Sequence, residues 1–304
     1  MIIKSPIDLE LTQLSGQTSQ PPWKRINDSY REVVIVDGKP AIFDVKQSGE
    51  YLDFNFTGDV RENEAVSRLK YIYDLDFDLD EFYKYLSNHS ELADMSDFCN
   101  GLRLFLAPNP FECVISSICS ANNSIKRWTK SVSDIKQNWG NNYNGFYAFP
   151  ESSTFQDVFL DEEEEFDLTD SDDICKCKNN LKACGVGYRA PYMRKASELF
   201  TLETDLLEIP KMKYDEAFEA ILKVPGVGPK VADCILLYGF NFKEAFPSDV
   251  WIKRIVSYLY FDGKDISVSK VREFGMEEFG DYAGYVQLYM FHYARKSGLM
   301  AKLK

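Results

Sequence analysis

The segment Leu222-Lys-Val-Pro-Gly-Val-Gly-Pro-Lys-Val-Ala-Asp-Cys-Ile-Leu-Leu-Tyr238 constrains the chain more than any other. Apolar residues at helical spacing run up to Lys223, Pro225-Gly226-Val227-Gly228 interrupts them, and Pro229 opens a second helical run. Proline suits a first helical position, where a missing N–H has no intrahelical partner to lose. Two glycines in a four-residue reversal predict positive φ at both Gly226 and Gly228. The second helix then presents free backbone N–H groups beside side chains too small to block a ligand. A phosphate oxygen suits such an end. Ordinary helix pairs use the same turn, so the hairpin alone does not decide the matter.

Lys230 and Asp249 sharpen it. Lys230 occupies the second position of the new helix, where the macrodipole disfavours a cation. If partly buried, desolvation and dipole together are expected to lower its pKa toward a neutral, nucleophilic amine. The bland alternative is a surface lysine touching DNA or solvent. Asp249, in Pro247-Ser-Asp-Val-Trp251, stands where a helix N-cap is expected. A capping carboxylate is fixed in place, so it can also activate an amine and stabilise positive charge at a sugar carbon.

Around this segment the periodicity divides the chain. Arg31–Val45 holds two β-rich runs about a Val36-Asp37-Gly38-Lys39 turn, and Tyr51–Phe56 alternates apolar with polar residues. From about residue 62 the spacing turns helical, with candidates through Tyr282–Lys296. The expected fold is α+β: an antiparallel sheet unit over 1–105, then an all-α body over 106–304. An acidic insertion is expected around 151–175.

The net charge of −13 argues against a nucleic-acid partner until its distribution is considered. Ten acids fall within 157–173 with no Lys or Arg, and without them the net charge is −3. From 174 onward twenty Lys/Arg face sixteen Asp/Glu. A neutral to mildly basic working half therefore permits a DNA partner. No apolar run approaches a membrane span, and the start lacks a signal-peptide core, so an intracellular protein is expected. Seven cysteines are an odd number, which argues against a disulfide framework. Cys175, Cys177 and Cys184 suggest zinc, but with no fourth ligand evident free thiols are the better reading.

The run Pro225–Lys230 with Pro247-Ser-Asp249 resembles the helix-hairpin-helix (HhH-GPD) superfamily of DNA glycosylases, and within it the 8-oxoguanine DNA glycosylase/AP lyases. Gly101-Leu-Arg-Leu-Phe105, Asn109–Asn123, Gly185–Ala190 and Tyr282–Phe291 fall in that family's order, so the resemblance covers nearly all of 70–296. It implies a TBP-like N-terminal sheet and a helical glycosylase body. It also implies Lys230 as Schiff-base nucleophile and Asp249 as its carboxylate. Cys234 and Phe291 are implied to sandwich an extruded base, Gln287 to read its edge, and Gly16, beside Gln17, to accept the N7 proton of an oxidised purine. Asn122 is implied to fill the gap in the duplex, Tyr188 to wedge beside the orphaned base, and Arg127 and Arg189 to bind the opposite cytosine. Gly226 and Gly228 are implied to contact DNA.

The implied partner is double-stranded DNA containing an oxidised purine, met by a monomer inside the cell. No cofactor is implied beyond an optional monovalent cation at the hairpin, and no metal. No cysteine follows Cys234, so the iron–sulfur branch of the superfamily does not fit. Two features depart from the family. Thr18–Trp23 replaces its usual stretch after Gly16-Gln17, and Trp251 stands where relatives carry a histidine near a DNA phosphate. Two rival functions are an alkylated-base glycosylase, which generally lacks the lysine, and a non-catalytic DNA-binding module, in which Asp249, Cys234, Gln287 and Phe291 share no purpose.

Overall fold

The computed structural model describes residues 1–158, 179–202 and 208–299. Five strands, β1 (Ile2–Lys4), β2 (Lys24–Ile26), β3 (Ser29–Val36), β4 (Lys39–Ser48) and β5 (Tyr51–Gly58), form one antiparallel sheet in the order β1-β5-β4-β3-β2. Val36 pairs with Lys39, and both intervening residues have positive φ, 48° at Asp37 and 79° at Gly38. That is the two-residue turn whose twist matches the strands it joins. Along β5, Leu52 and Phe54 are buried while Tyr51 and Asp53 are exposed, so the alternation reads directly as an inner and an outer face. Helices α1 (Leu9–Gln13) and α2 (Glu62–Ile72) accompany the sheet, and Trp23, Phe43, Phe54, Leu69, Tyr73 and Phe105 form its core.

The helical body comprises α3 (Leu79–Ser87), α4 (Ala93–Phe98), α5 (Pro110–Ser120), α6 (Ile125–Trp139), α7 (Ala190–Leu202), α8 (Tyr214–Leu222), α9 (Pro229–Phe240), α10 (Val250–Tyr260), α11 (Val268–Phe279) and α12 (Ala283–Lys296). A small hairpin, β6 (Asn142–Tyr143) and β7 (Phe146–Tyr147), follows α6. α5 begins at Pro110 under an Asn109 cap, as a rigid Pro-Asn-Pro entry favours. It lies against α9 closely enough that a Cβ on Gly239 would stand 3.2 Å from Cys113 Sγ. The α+β architecture is therefore the expected one. The short elements α1, α4, β1, β6 and β7 escape the periodicity, because runs of two to six residues give no period to read.

Two polar clusters hold the sheet unit to the body. Lys136 of α6 reaches Glu32 of β3 at 2.9 Å and Glu112 of α5 at 3.8 Å, all three nearly solvent-free. Burial pushes the Glu112 carboxyl up to about 7. At the other cluster Asp74 receives Lys243 at 3.0 Å and the Tyr285 hydroxyl at 2.8 Å, while Arg103 donates to the Asp74 carbonyl at 2.6 Å. The acids Asp161–Asp173 lie outside the described residues, as do Cys175 and Cys177. Among the described residues no helix is long and apolar enough to cross a membrane.

Candidate active site

The α8–α9 hairpin is built as its sequence suggests, with one correction. Gly226 has φ +82°, and a Cβ there would lie 2.7–2.9 Å from Tyr192, so conformation and space both demand glycine. Gly228, however, is extended, with φ −100° and ψ 177°. Its glycine is not needed for the turn. Nothing lies within 4 Å of where its Cβ would be, so it leaves the start of α9 uncovered.

Lys230 and Cys234 stand one turn apart on α9 and line a cavity with Asp249, Gln287, Phe291 and the Gly16 loop. Asp249 caps α10: its Oδ1 accepts from Trp251 N and Ile252 N, both at 2.9 Å. Both bonds fall on one oxygen, which leaves Oδ2 available to the cavity. Gln287 on α12 is buried, and its Oε1 has no hydrogen-bond partner among the described residues. An unmet buried acceptor costs about 1–3 kcal/mol, a deficit that a ligand N–H would remove. Phe291, one turn on, is half-buried beneath the Arg295 guanidinium, 5.0 Å from its ring centre. Arg295 also donates to the Ser15 carbonyl at 3.1 Å, tying α12 to the loop opposite. The cavity is about 60 Å³. Benzene occupies a cavity of about 150 Å³, so a base can enter only if this one widens.

The electrostatics reverse the expectation for Lys230. Its pKa is raised, because the sulfur of Cys234 and, after the opposing effect of burial, the Asp249 carboxylate favour the ammonium. Burial pushes the Cys234 thiol up, and Lys230 and a hydrogen bond with Thr18 oppose that. Lys230 thus rests as a cation held beside a sulfur and a carboxylate. Only after losing that proton is it a nucleophile.

The opposite wall comes from the N-terminal unit. Gly16 has φ +87°, and a Cβ there would fall 2.4 Å from Ile125 Cδ1. Gln17 lines the cavity, but its amide is committed elsewhere: Nε2 donates to Ser15 Oγ at 2.9 Å and to the Arg103 carbonyl at 3.0 Å, and Oε1 accepts from Phe105 N at 2.9 Å. Its side chain holds the loop and is not free to read a ligand. Gln20 bonds the Leu106 carbonyl at 2.9 Å and Trp23 is buried, so the divergent 18–23 stretch is firmly anchored.

A second cluster forms where the α5–α6 turn meets residues 187–189. Asn122 is exposed at the turn with φ 51°, and Tyr188 is exposed beneath the Arg189 guanidinium, 4.4 Å from its ring centre. Arg189 departs from expectation. It is buried and donates to the carbonyls of Ala121, Asn122 and Val186, so as it stands it shapes the turn that carries Asn122. Arg127, in the first turn of α6, is exposed.

Three lining residues, Tyr238, Leu288 and Thr18, went unread in the sequence, as did Arg295 above the Phe291 ring. Tyr238 follows Cys234 by four residues and could have been found by extending the α9 face. Arg295 follows Phe291 by the same spacing. Thr18, whose Oγ1 lies 3.0 Å from Ser117 Oγ, sits in a loop and carries no periodic signal. Among the described residues no group of three or more His, Cys, Asp or Glu could hold a metal, and Cys184 is a buried thiol bonded by Asn138.

Comparison with known proteins identifies the family. Residues 115–280 match the HhH-GPD superfamily base excision DNA repair protein family, and residues 1–114 match the N-terminal domain of 8-oxoguanine DNA glycosylase. The chain belongs to the HhH-GPD superfamily. One member, the probable N-glycosylase/DNA lyase of Methanothermobacter thermautotrophicus, is 45% identical over 98% of this chain and 96% of its own length. The 8-oxoguanine glycosylase/lyase of Clostridium acetobutylicum, solved with double-stranded DNA bearing cytosine opposite 8-oxoguanine, superposes with TM-score 0.79 at 29% identity over 98% of both chains. A 3-methyladenine DNA glycosylase of Archaeoglobus fulgidus also superposes at 0.76, with 23% identity and coverage of 98% and 99%. At that identity the likeness shows the HhH-GPD fold and does not choose the base.

Proposed function

We propose that the chain is a bifunctional DNA glycosylase that excises 8-oxoguanine from duplex DNA and nicks the strand at the resulting abasic site. The observation that carries this reading is one cavity shared by Lys230, Asp249, Cys234, Phe291 and the unpartnered Gln287 amide oxygen. The flipped base enters between Cys234 and Phe291. Gln287 Oε1 accepts from an N–H on its edge, and the Gly16 carbonyl accepts the N7 proton that oxidation adds. Asp249 Oδ2 stabilises positive charge at C1′ as the glycosidic bond breaks and the base leaves with the bonding pair. Lys230 yields its proton to the departing base, and its lone pair then bonds C1′. The C1′–O4′ bond breaks with its electron pair going to O4′, which takes a proton from the new ammonium nitrogen, and the sugar opens to a protonated imine. The resulting imine acidifies the 2′ hydrogen, whose loss expels the 3′ oxygen and cuts the strand.

Opposite-base preference belongs to Arg127 and Arg189, beside the gap-filling Asn122 and the Tyr188 wedge. Cytosine offers N3 and O2 acceptors that suit guanidinium donors, whereas adenine presents an amino group. Arg127 is free to turn toward the base, and Arg189 must exchange a carbonyl partner to do so. The α9 N-terminus at Gly226 and Gly228 takes a phosphate, with room for a monovalent cation that the chemistry does not need. The enzyme works as a monomer on intracellular DNA.

A panel of duplexes differing in lesion and opposite base, scored separately for base release and strand cleavage, tests the reading. Release and nicking are expected to be fastest for 8-oxoguanine opposite cytosine. Borohydride should trap wild-type protein on that duplex, and Lys230→Gln should neither cut nor be trapped. Full trapping of the variant would reject Lys230 as the imine former.

A further inference from the structure

The turn of α9 that carries Lys230 and Cys234 holds a third ionisable residue, Asp233, which the chemistry above does not use. It is fully buried, and it stands about 60° around the helix from Lys230, on the side away from Cys234. Two other helices hold its carboxylate. Arg272 of α11 donates from Nε to Oδ2 at 2.7 Å and from a terminal nitrogen to Oδ1 at 3.3 Å. The Tyr214 hydroxyl, at the start of α8, donates to Oδ1. Arg272 also donates to that hydroxyl and lies over the Phe218 ring, 4.0 Å from its centre. A buried ion pair adds little net stability over apolar packing, because desolvation of both charges offsets their attraction. What a planar two-point fork does supply is fixed geometry. Helix α11 also reaches the other half of the site. Gly275, three residues after Arg272 and hence on the same face, packs so closely on Phe246 that a Cβ there would collide with the ring. Phe246 belongs to the connection that ends at the Asp249 cap. The start of α9 has no comparable hold of its own, since Gly228 gives no side-chain cap and nothing packs where its Cβ would be.

We infer that α11 sets the spacing of the two reacting groups: through Arg272 on Asp233 and Gly275 on Phe246 it fixes the rotation of α9, and with it the distance from the Lys230 amine to Asp249. Asp233, Arg272 and Tyr214 are then positioning residues, which touch neither substrate nor reacting atoms. The inference rests on the reading of Lys230 as the imine former. The lever is long enough to matter. Side chains end about 5–6 Å from a helix axis, so a turn of about 10° moves the amine by about 1 Å. A displacement of that size costs about a hundredfold in rate.

Replacing the pair as a unit tests this. Asp233→Leu with Arg272→Met removes both charges together and strands neither, so the double variant should melt near wild type. Its affinity for a duplex carrying a tetrahydrofuran abasic analogue should be unchanged. The single-turnover rate of borohydride trapping on a pre-formed abasic site should nevertheless fall about ten- to a hundredfold. Arg272→Lys keeps the cation without the fork and should slow trapping by a smaller factor. A folded double variant trapped at the wild-type rate would overturn the inference, and so would equal losses of affinity and rate. If the double variant does not fold, Arg272→Lys decides, and trapping at the wild-type rate there overturns the inference. The free protein supplies a readout that needs no chemistry. The nitrogen-15 resonance of the Lys230 ammonium, assigned by its loss in Lys230→Gln, should shift in the double variant or, failing that, in Arg272→Lys. An unmoved resonance would overturn the inference too. Failure of the wild-type protein to be trapped would instead reject the imine reading, and the resonance would still judge the role of α11.

Discussion

The two walls of the cavity are built by different means. The α9–α10 wall is local: a four-residue turn, a proline at a helix start and an aspartate cap aim Lys230, Cys234 and Asp249 with hardly any help from distant residues. The Gly16–Thr18 wall is a loop with no regular structure of its own. Its shape comes from partners about ninety to a hundred residues away, Gln17 with Arg103 and Phe105, Thr18 with Ser117, and from Arg295 of the last helix. The hairpin wall carries groups for bond chemistry, and the loop wall carries groups that recognise or enclose. Substitutions should therefore separate the two walls.

The largest effect is expected at Asp249. Asparagine caps a helix about as well as aspartate, so Asp249→Asn should melt within a few degrees of wild type. It loses the negative Oδ2, and single-turnover base release should fall by orders of magnitude. Near-normal turnover with an unchanged melting temperature would reduce Asp249 to a cap.

Gln17→Ala should show the converse. It strands the Phe105 N–H and the Arg103 carbonyl in the interior, at roughly 1–3 kcal/mol each, so a clear drop in melting temperature is expected. Excision of 8-oxoguanine should slow because the Gly16 loop is no longer held. Cleavage of a pre-formed abasic site, which needs only the hairpin wall, should persist at temperatures where the variant stays folded. Equal losses on both substrates would show that the walls are not separable.

The same division explains what the sequence made legible. Lys230, Asp249 and Cys234 are readable because capping, proline placement and i,i+4 spacing are rules of a few residues. Gln287 and Phe291 are readable as one face of α12, although their meeting with α9 is not. Thr18 was invisible because its neighbours are close only after the sheet has docked on α5. The commitments of Gln17 and Arg189 were hidden for a related reason. Both point to main-chain carbonyls or amides, which no residue type advertises. The proton on Lys230 is not legible from the helix dipole and burial alone, because the sulfur and the carboxylate beside it act against both.

That proton supplies the subtlest test. Where Cys234 is ionised, its sulfur is the leading cause of the raised Lys230 pKa, ahead of Asp249. A raised pKa keeps the amine protonated to higher pH, and only the free amine can form an imine, so cleavage of a pre-formed abasic site should increase with pH. Cys234→Ala removes the sulfur but not Asp249, and Lys230 should then lose its proton at lower pH. The rising limb of kcat/KM against pH should accordingly move toward acid in the variant. An abasic substrate is the right choice because it has no base to pack on Cys234, so lost packing cannot mimic the shift. Borohydride trapping across the same pH series reads the imine directly and should move with it. If both curves keep their wild-type position, the proton on Lys230 is governed by Asp249 and burial, and Cys234 serves only as a surface for the base.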